Sequence, residues 1–152
     1  MRWFFRMPPL IYRALVRFGR AERMRGRLLL LTTRGRRTGR PRTCGLNYAV
    51  ADGTLYVMSG FRNSDWLRNL EADPHVEVRL GQDRWAGEAR VATDPEEKRR
   101  AARAARAQAA TQGPPASFKP LLRRIGFDYD AELRKLDDPD LDLPTVAITR
   151  SG

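Results

Sequence analysis

Residues 28–50 read LLLLTTRGRRTGRPRTCGLNYAV, two segments of strand-forming residues on either side of a short basic stretch. The apolar run that ends in two threonines predicts a buried strand over residues 28–33, and residues 43–50 predict a second strand. Gly35 and Gly39 favour a tight turn between the two strands. No G-x-G-x-x-G follows the first strand and strands do not alternate with helices, so a Rossmann sheet is excluded.

Turn and cap signals divide the rest of the chain into short elements. Asp52-Gly53 is a hairpin signal, and a capping residue, a proline and two acids over residues 93–97 predict the start of an alanine-rich helix. Asn63 or Ser64 is expected to cap a short helix. The elements predicted after the second strand are strand 55–59, helix 66–72, strands 76–80 and 85–92, helix 95–110, helical pieces within 118–136 and strand 145–149.

This order of elements predicts an α+β fold, a small antiparallel barrel with flanking helices packed on its outside. Only the connection through residues 66–72 is expected to need a parallel crossover. Residues 28–152 are expected to form one domain, preceded by a basic amphipathic helix within residues 1–27.

Positive charge is concentrated at the start of the chain. The net charge is +11, yet residues 1–42 hold thirteen arginines and one acid, while the rest of the chain is close to neutral. An anionic group is therefore expected to meet this end: a phosphate, an acidic tail, lipid headgroups or nucleic acid. No helix-turn-helix, RRM or zinc-finger pattern accompanies the charge, so nucleic acid is not the expected partner.

The first twenty residues leave two interpretations open. Apolar residues recur on one helical face between residues 10 and 18, and arginines occupy another face. The helix is expected either to pack on the domain's own core or to lie on an anionic membrane surface, with Trp3, Phe4 and Phe5 at the headgroups. Without a secretory signal or a long apolar run, the predicted location is the cytoplasm or the inner face of the membrane.

Metal sites built on cysteine or histidine are not expected. Cys44 is the only cysteine and His75 the only histidine, so neither an intrachain disulfide nor a ligand pair of one type can form. The acids between residues 137 and 142 lack the spacing of a calcium loop. His75 is expected to be solvated.

Residues 34–42 are the first candidate binding site. Turned backbone between the two glycines presents several N–H groups to one point, which makes a nest for an anion. Thr38 can add a hydroxyl, and Arg36, Arg37 and Arg42 can add charge and forked donors. The alternative is a solvated basic turn, and composition alone does not separate the two.

Residues 58–70 are the second candidate, where a strand ends in a small-residue loop and a helix begins. Helix N-termini offer free N–H groups to anions or ring carbonyls, and Ser59 and Gly60 would let a flat ring lie close to the backbone. The alternatives are that Trp66 and Leu70 belong to the core and that the polar loop residues only cap the helix.

At these two segments the sequence resembles the deazaflavin-dependent nitroreductases, also called F420H2-dependent quinone reductases. The resemblance covers residues 28–94 and the closing residues 143–148. The first family motif is matched by Thr32, Thr33, Gly35, Arg36, Arg37, Thr38, Gly39 and Arg42. The second is matched by Trp66, Leu67, Asn69, Leu70, Ala72, Asp73, Pro74, Val76 and Val78. The chain departs from the family at Gly45, where members often have proline, and over residues 113–142.

The resemblance implies a split β-barrel like that of FMN-binding pyridoxamine oxidases. It implies an oxidoreductase that uses the reduced deazaflavin coenzyme F420, with FMN as the alternative cofactor. The phosphate and glutamyl tail would meet the basic turn, and the ring would lie near residues 46–48 and 59–66. The implied cofactor-binding residues are Thr33, Arg36, Arg37, Thr38, Gly39, Arg42, Leu46, Asn47, Tyr48, Ser59, Gly60, Asn63, Trp66 and Asn69.

The implied substrate is a quinone, a nitro compound or an enone. Because such a cofactor carries the hydride, the protein needs only to bind, orient and supply a proton. Ser59, Tyr48 and Tyr129 are the candidate catalytic groups, and a homodimer is expected. The competing interpretations are a non-catalytic ligand carrier on the same fold and a nucleic-acid binder.

Overall fold

The computed structural model of the chain describes residues 28–59, 64–112, 116–124, 130–131, 134 and 142–152. Its elements are β1 (Leu28–Arg34), β2 (Pro41–Ala51), β3 (Thr54–Met58), α1 (Asp65–Ala72), β4 (His75–Leu80), β5 (Asp83–Val91), α2 (Pro95–Gln112), a 3₁₀ turn (Ala116–Phe118), α3 (Lys119–Arg124) and β6 (Thr145–Arg150). The strands close into one barrel, which confirms the predicted α+β antiparallel barrel with flanking helices. The helix predicted within residues 1–27 lies outside the described residues, so that division of the chain stays a prediction.

Strand order decides which loops meet. Around the barrel the order is β1-β2-β3-β6-β5-β4, with β4 paired to β1. Every neighbouring pair is antiparallel, so directions alternate and β3 runs opposite to β4. The expectation of a parallel crossover through α1 is therefore wrong: α1 passes over one end of the barrel and returns the chain antiparallel. The turn between β1 and β2 lies at that same end.

The barrel interior is a packed apolar core. Successive side chains of a strand point to opposite faces, so Leu29 and Leu31 of β1 both point inward, and neither is exposed to solvent. They join Cys44, Leu46, Leu55, Val57, Trp66, Leu67, Leu70, Val76, Val78, Ala89, Val146 and Ile148. Each large aliphatic side chain buried in this way stabilises the fold by about 1.5–3 kcal/mol. Three of the residues belong to α1, which is thus held by the core.

The long helix α2 covers part of the barrel's outer face. Ala101, which is fully buried, packs against Tyr56 of β3 and Ala147 of β6. Small alanine side chains on this face of the helix favour close packing against the strands. Gln108 Nε2 donates to the carbonyl of Tyr48 at 2.9 Å and ties the helix to β2. No helix in the described part of the chain is long and apolar enough to cross a membrane.

Two local predictions have different outcomes. The Asp52-Gly53 hairpin is confirmed, since both residues have positive φ, 50° and 74°, as a two-residue turn between twisted strands requires. The predicted cap of α1 is correct in its position but not in its hydrogen bond. Ser64 occupies the N-cap position, but its side chain makes no capping bond, because its Oγ lies 2.6 Å from Ser59 Oγ.

A buried carboxylate joins the start of α2 to the barrel. Glu97 is 7% exposed and accepts two bonds from the Arg90 guanidinium, at 2.9 and 2.6 Å, and one from Tyr56 Oη at 3.0 Å. Its amide donates to Asp94 Oδ2, so a side chain from the predicted capping segment, residues 93–97, does cap the start of α2. The bonds from Arg90 hold the pKa of the Glu97 carboxyl below its ordinary value of 4.5, and burial raises the pKa of Tyr56.

Replacing Glu97 by glutamine should lower the free energy of unfolding by about 1–3 kcal/mol at neutral pH, because two charge-assisted bonds weaken in a buried position. The folded-state pKa of Glu97 lies below the unfolded value, so its contribution is complete above pH 4.5 and is lost as the pH falls through the folded pKa. The difference between the two proteins in urea unfolding should therefore shrink below that pH.

The matched control is Glu96→Gln. Glu96 is the neighbouring acid, 59% exposed, and it pairs with Arg99 and Arg103 on the surface. Its replacement should change stability by less than about 1 kcal/mol. Equal losses for the two variants would contradict the anchoring role of Glu97.

Candidate functional site

A cleft opens at the end of the barrel, between the β1–β2 turn and α1. Its volume is about 310 Å³. It is lined by Gly35, Arg36, Arg37, Thr38, Arg42, Thr43, Cys44, Asp65, Trp66 and Asn69. The two motifs singled out in the sequence, about thirty residues apart, thus form the two walls of one cleft.

The turn is closed by its own backbone. Gly39 N donates to Gly35 O at 2.7 Å, and Gly35 N donates to Arg40 O at 2.9 Å. Gly39 has a φ of 66°, a conformation that residues with a Cβ rarely adopt. A Cβ at Gly35 would lie 3.1 Å from both Arg40 O and Thr38 Oγ1, so both glycines suit this shape. Thr38 Oγ1 also accepts a bond from Arg40 N at 3.3 Å, which leaves its O–H free to donate.

Asn69 of α1 holds the turn against the helix. It is 3% exposed, and its Oδ1 accepts bonds from Arg36 N at 3.2 Å and from Arg36 Nη1 at 3.1 Å. Its Nδ2 donates to Thr33 Oγ1 at 3.1 Å. Both ends of the amide are therefore occupied within the chain. Asn69 and Thr33 were predicted to bind cofactor; the structure gives them contacts that shape the site.

Arg36 crosses the cleft from the turn to the helix. Its guanidinium donates to Asp65 Oδ1 from Nη1 at 3.2 Å and from Nη2 at 3.1 Å. The Arg36 side chain is 24% exposed, while that of Asp65 is 69% exposed. The charge of Arg36 is thus partly neutralised at the rim of the cleft. Asp65 was not among the predicted site residues.

Two other arginines line the cleft without an acidic partner. Among the residues that the structure describes, no carboxylate forms an ion pair with Arg37 or Arg42. Both are exposed residues, and both line the cleft together with Thr38. The cleft therefore carries an excess of positive charge and hydrogen-bond donors, which is the chemistry that binds an anion.

The inner wall is formed by residues that also belong to the barrel. Trp66 is 8% exposed and contributes both to the core and to the cleft. Thr43 and Cys44 of β2 lie beside it. The sequence predicted Trp66 but missed these two, although they directly follow Arg42 in the chain and pair with Thr32 and Leu31 of β1. Cys44 Sγ lies 3.8 Å from Leu31 O.

Several predicted site residues lie away from the cleft. Leu46 is in the core and 2% exposed, whereas Asn47 is exposed on the opposite face of β2. Consecutive strand residues point to opposite faces, and neither Leu46 nor Asn47 lines the cleft. Tyr48 packs against the core, and four residues along a strand set it about 13 Å from Cys44.

Ser59 lies at the same end of the barrel as the cleft but is 2% exposed. Its amide donates to Pro144 O at 2.9 Å, and its hydroxyl is bonded to that of Ser64. Gly60, Asn63 and Tyr129 lie outside the described residues, so their assigned roles stay predictions. Gly39 does not line the cleft either. It closes the β1–β2 turn, and other residues of that turn line the cleft.

His75 is solvated, as expected from the sequence. Its ring is 80% exposed, and its Nδ1 lies 2.8 Å from Asp73 Oδ1. The bonds from His75, with the nearby Arg34, hold the pKa of the Asp73 carboxyl below its ordinary value. These residues line a second cleft of about 360 Å³ on the outer face of β1 and β4, whose mixture of acids and bases favours no single ligand charge.

Replacing Asn69 by alanine should lower the free energy of unfolding by about 2–4 kcal/mol, because it leaves buried partners without their bonds. The Arg36 amide should then exchange its hydrogen much faster. Thr33→Val serves as the comparison, since it removes only the bond from Nδ2 and should leave the Arg36 amide slow to exchange. Amide exchange measured by NMR tests both variants. An unchanged Arg36 amide in Asn69→Ala would contradict the anchoring role.

Comparison with known proteins bears on both the fold and the family. A relative described as an F420H(2)-dependent quinone reductase of Mycobacterium tuberculosis (strain H37Rv) is 40% identical over 62 residues, 38% of this chain and 41% of that relative. The chain thus spans about two fifths of the length of the curated relatives it matches.

Two solved structures are similar in fold. One is an F420-H2 dependent reductase, with a TM-score of 0.52 and 20% identity over 80% of this chain and 93% of the other. The second is a Listeria innocua protein assigned as a pyridoxamine 5′-phosphate oxidase, with a TM-score of 0.50 and 18% identity over 91% and 94%. The barrel is therefore the split barrel of this group, as the resemblance implied.

The model of the F420H(2)-dependent quinone reductase family matches residues 4–113. This range includes both walls of the cleft, the whole of α1 and most of the barrel. The family suggested by the two sequence motifs is confirmed: the chain belongs to the F420H(2)-dependent quinone reductase family.

Proposed function

We propose that this protein binds coenzyme F420 with its phosphate in the cleft between the β1–β2 turn and α1, and that it is an F420H2-dependent reductase. The observation that carries the proposal is the pair Arg37 and Arg42. These two arginines line one cleft, and neither has an acidic partner among the described residues. Arg37 lies within a turn whose shape depends on glycine and Arg42 follows that turn, in a chain of this family.

The residues present fit a phosphate with its attached chain. A volume of about 310 Å³ lies at the lower end of the range for small-molecule sites, so the cleft would take the phosphate region and leave the ring system to adjoining surfaces. Two forked donors and the Thr38 hydroxyl together supply hydrogen bonds that phosphate oxygens accept, whereas the amides of the turn at Gly35, Arg36, Gly39 and Arg40 already donate within the chain. The outer cleft around Asp73 and Glu77 lacks this excess of positive charge.

When bound, reduced F420 supplies the hydride. The residues of this chain would bind and orient the cofactor. Arg37 and Arg42 would hold the phosphate, Asn69 keeps the turn in its shape, and Trp66 excludes water from the inner wall of the cleft. Gly35 and Gly39 allow the tight shape of the turn that carries Arg37 and Thr38 at the cleft.

The acceptor is proposed to be a quinone or a nitro compound, and the protein is proposed to act as a homodimer in the cytoplasm or at the inner face of the membrane. Ser59, Tyr48 and Tyr129 stay candidates for the groups that orient the acceptor or donate a proton. Ser59 and Tyr48 of one chain do not line the phosphate cleft. They would therefore act on the acceptor at a site separate from this cleft.

Titration of the purified protein with F420, FMN and FAD, followed by fluorescence, tests the proposal. We expect selective binding of F420, and oxidation of the reduced cofactor when a quinone is added. Selective binding of FMN would move the chemistry to an ordinary flavin, and binding without turnover would favour a carrier. Binding of none of the three would overturn the cofactor assignment.

Replacing Arg37 by glutamine should weaken F420 binding about tenfold or more, because one charge-assisted hydrogen bond to phosphate is lost. Arg40→Gln is the matched control: it removes the same charge from the same turn, but the Arg40 side chain does not line the cleft. It should weaken binding less than about threefold. Equal dissociation constants for the two variants would contradict the assignment of the phosphate to this cleft.

A further inference from the structure

Leu30 is a buried leucine on the outer face of the barrel. Its neighbours Leu29 and Leu31 point into the core, so Leu30 points outward, yet it is only 3% exposed. Gly45 of β2 pairs with Leu30 and is buried as well, although it has no side chain of its own. Another part of the chain must therefore cover the sheet at this pair, and an apolar cover is the favourable one.

The described neighbours of Leu30 do not supply this cover. On the β4 side Leu30 pairs with Arg79, whose Nε donates to Gly81 O at 3.2 Å, so that its head is directed toward the β4–β5 turn. Among the helices that the structure describes, α1 closes one end of the barrel, α2 packs on Tyr56 and Ala147, and α3 packs mainly against the 3₁₀ turn. The cover over Leu30 is thus expected from outside the described residues.

The segment that precedes β1 has the composition and the length for this cover. The apolar face of the helix predicted over residues 10–18 consists of Leu10, Ile11, Ala14, Leu15 and Phe18. Residues 19–27 link it to β1 and can span up to about 30 Å when extended. A helix over residues 10–18 is about 13 Å long, and three neighbouring strands span about 10 Å. The helix can therefore fold back over β1 and both neighbouring strands.

We propose that the outer face of the barrel at Leu30 and Gly45 is a docking surface for the apolar face of residues 10–18. The absence of a side chain at Gly45 leaves room beside Leu30 for a large side chain of the helix. Thr43, which precedes Gly45 by two residues on the same face of β2, lines the cleft. Docking therefore holds the arginine face of the helix beside the candidate site. The proposal goes beyond the proposed function and does not depend on which cofactor is bound.

Docking decides between the two interpretations of the first twenty residues. An apolar face that is buried on the barrel is not available to a lipid surface at the same time. The competing cover within the chain is segment 135–141, which carries three acids among seven residues and has less apolar surface to bury on a leucine.

The first test measures how fast a thiol at position 30 is labelled. Leu30→Cys is made together with Cys44→Ala, which removes the only other cysteine, and the purified protein is treated with N-ethylmaleimide and followed by mass spectrometry. Adding Leu15→Asp, which places a carboxylate on the apolar face of the helix, should speed labelling about tenfold or more, because the cover then opens more often.

The matched control is Arg13→Asp, which places the same residue on the arginine face and should change the rate less than about twofold. Circular dichroism confirms that each variant is folded. Equal labelling rates for the two helix variants would overturn the proposal, and so would fast labelling of position 30 before the helix is altered.

A second measurement keeps Leu30 in place and does not depend on the folding of Leu30→Cys. A nitroxide on Arg17→Cys, again with Cys44→Ala, should broaden the NMR signals of the Leu30 methyl groups. A nitroxide on Lys135→Cys should leave those signals sharp. The reverse pattern would assign the cover to segment 135–141 and overturn the proposal. Neither test uses a cofactor, so a failure of the proposed function would not alter their outcome.

Discussion

The candidate site depends on the side-chain amide of Asn69. This group accepts from the backbone and the guanidinium of Arg36 and donates to Thr33, so it joins α1 to the β1–β2 turn in a position that water does not reach. The bonds to a buried amide are specific in distance and direction. They hold the two walls of the cleft at one separation and keep Arg36 at the boundary between them.

Barrel closure brings these two walls together. Because the directions of six antiparallel strands alternate around the ring, the end of β1 and the end of β3 lie at the same rim. The chain must cross that rim to reach β4, and it does so as α1. The apolar face of α1 closes the core, while Asp65 and Asn69 face the turn. The connection between β3 and β4 through α1 therefore both completes the core and forms one wall of the cleft.

The sequence predicted most of the strands and turns because both depend on residues that are close in the chain. The Asp52-Gly53 hairpin and the paired segments on either side of Gly35 and Gly39 rely on contacts between residues close in the chain, which local composition reports. The crossover through α1 was mispredicted because strand direction depends on how all six strands close. Asn63 or Ser64 was expected to cap α1, but the Ser64 hydroxyl is bonded instead to that of Ser59, which follows β3.

For the site, the sequence by itself determined the charge, the two motifs and the family, since residue types and their local spacing carry that information. Only the tertiary structure decided what each side chain does. Asn69 and Thr33 are occupied with each other, Arg36 is paired with Asp65, and Arg37 and Arg42 line the cleft without an acidic partner among the described residues. The physical reason is that hydrogen bonds and ion pairs form between residues about thirty positions apart, and their partners are chosen by the closure of the barrel.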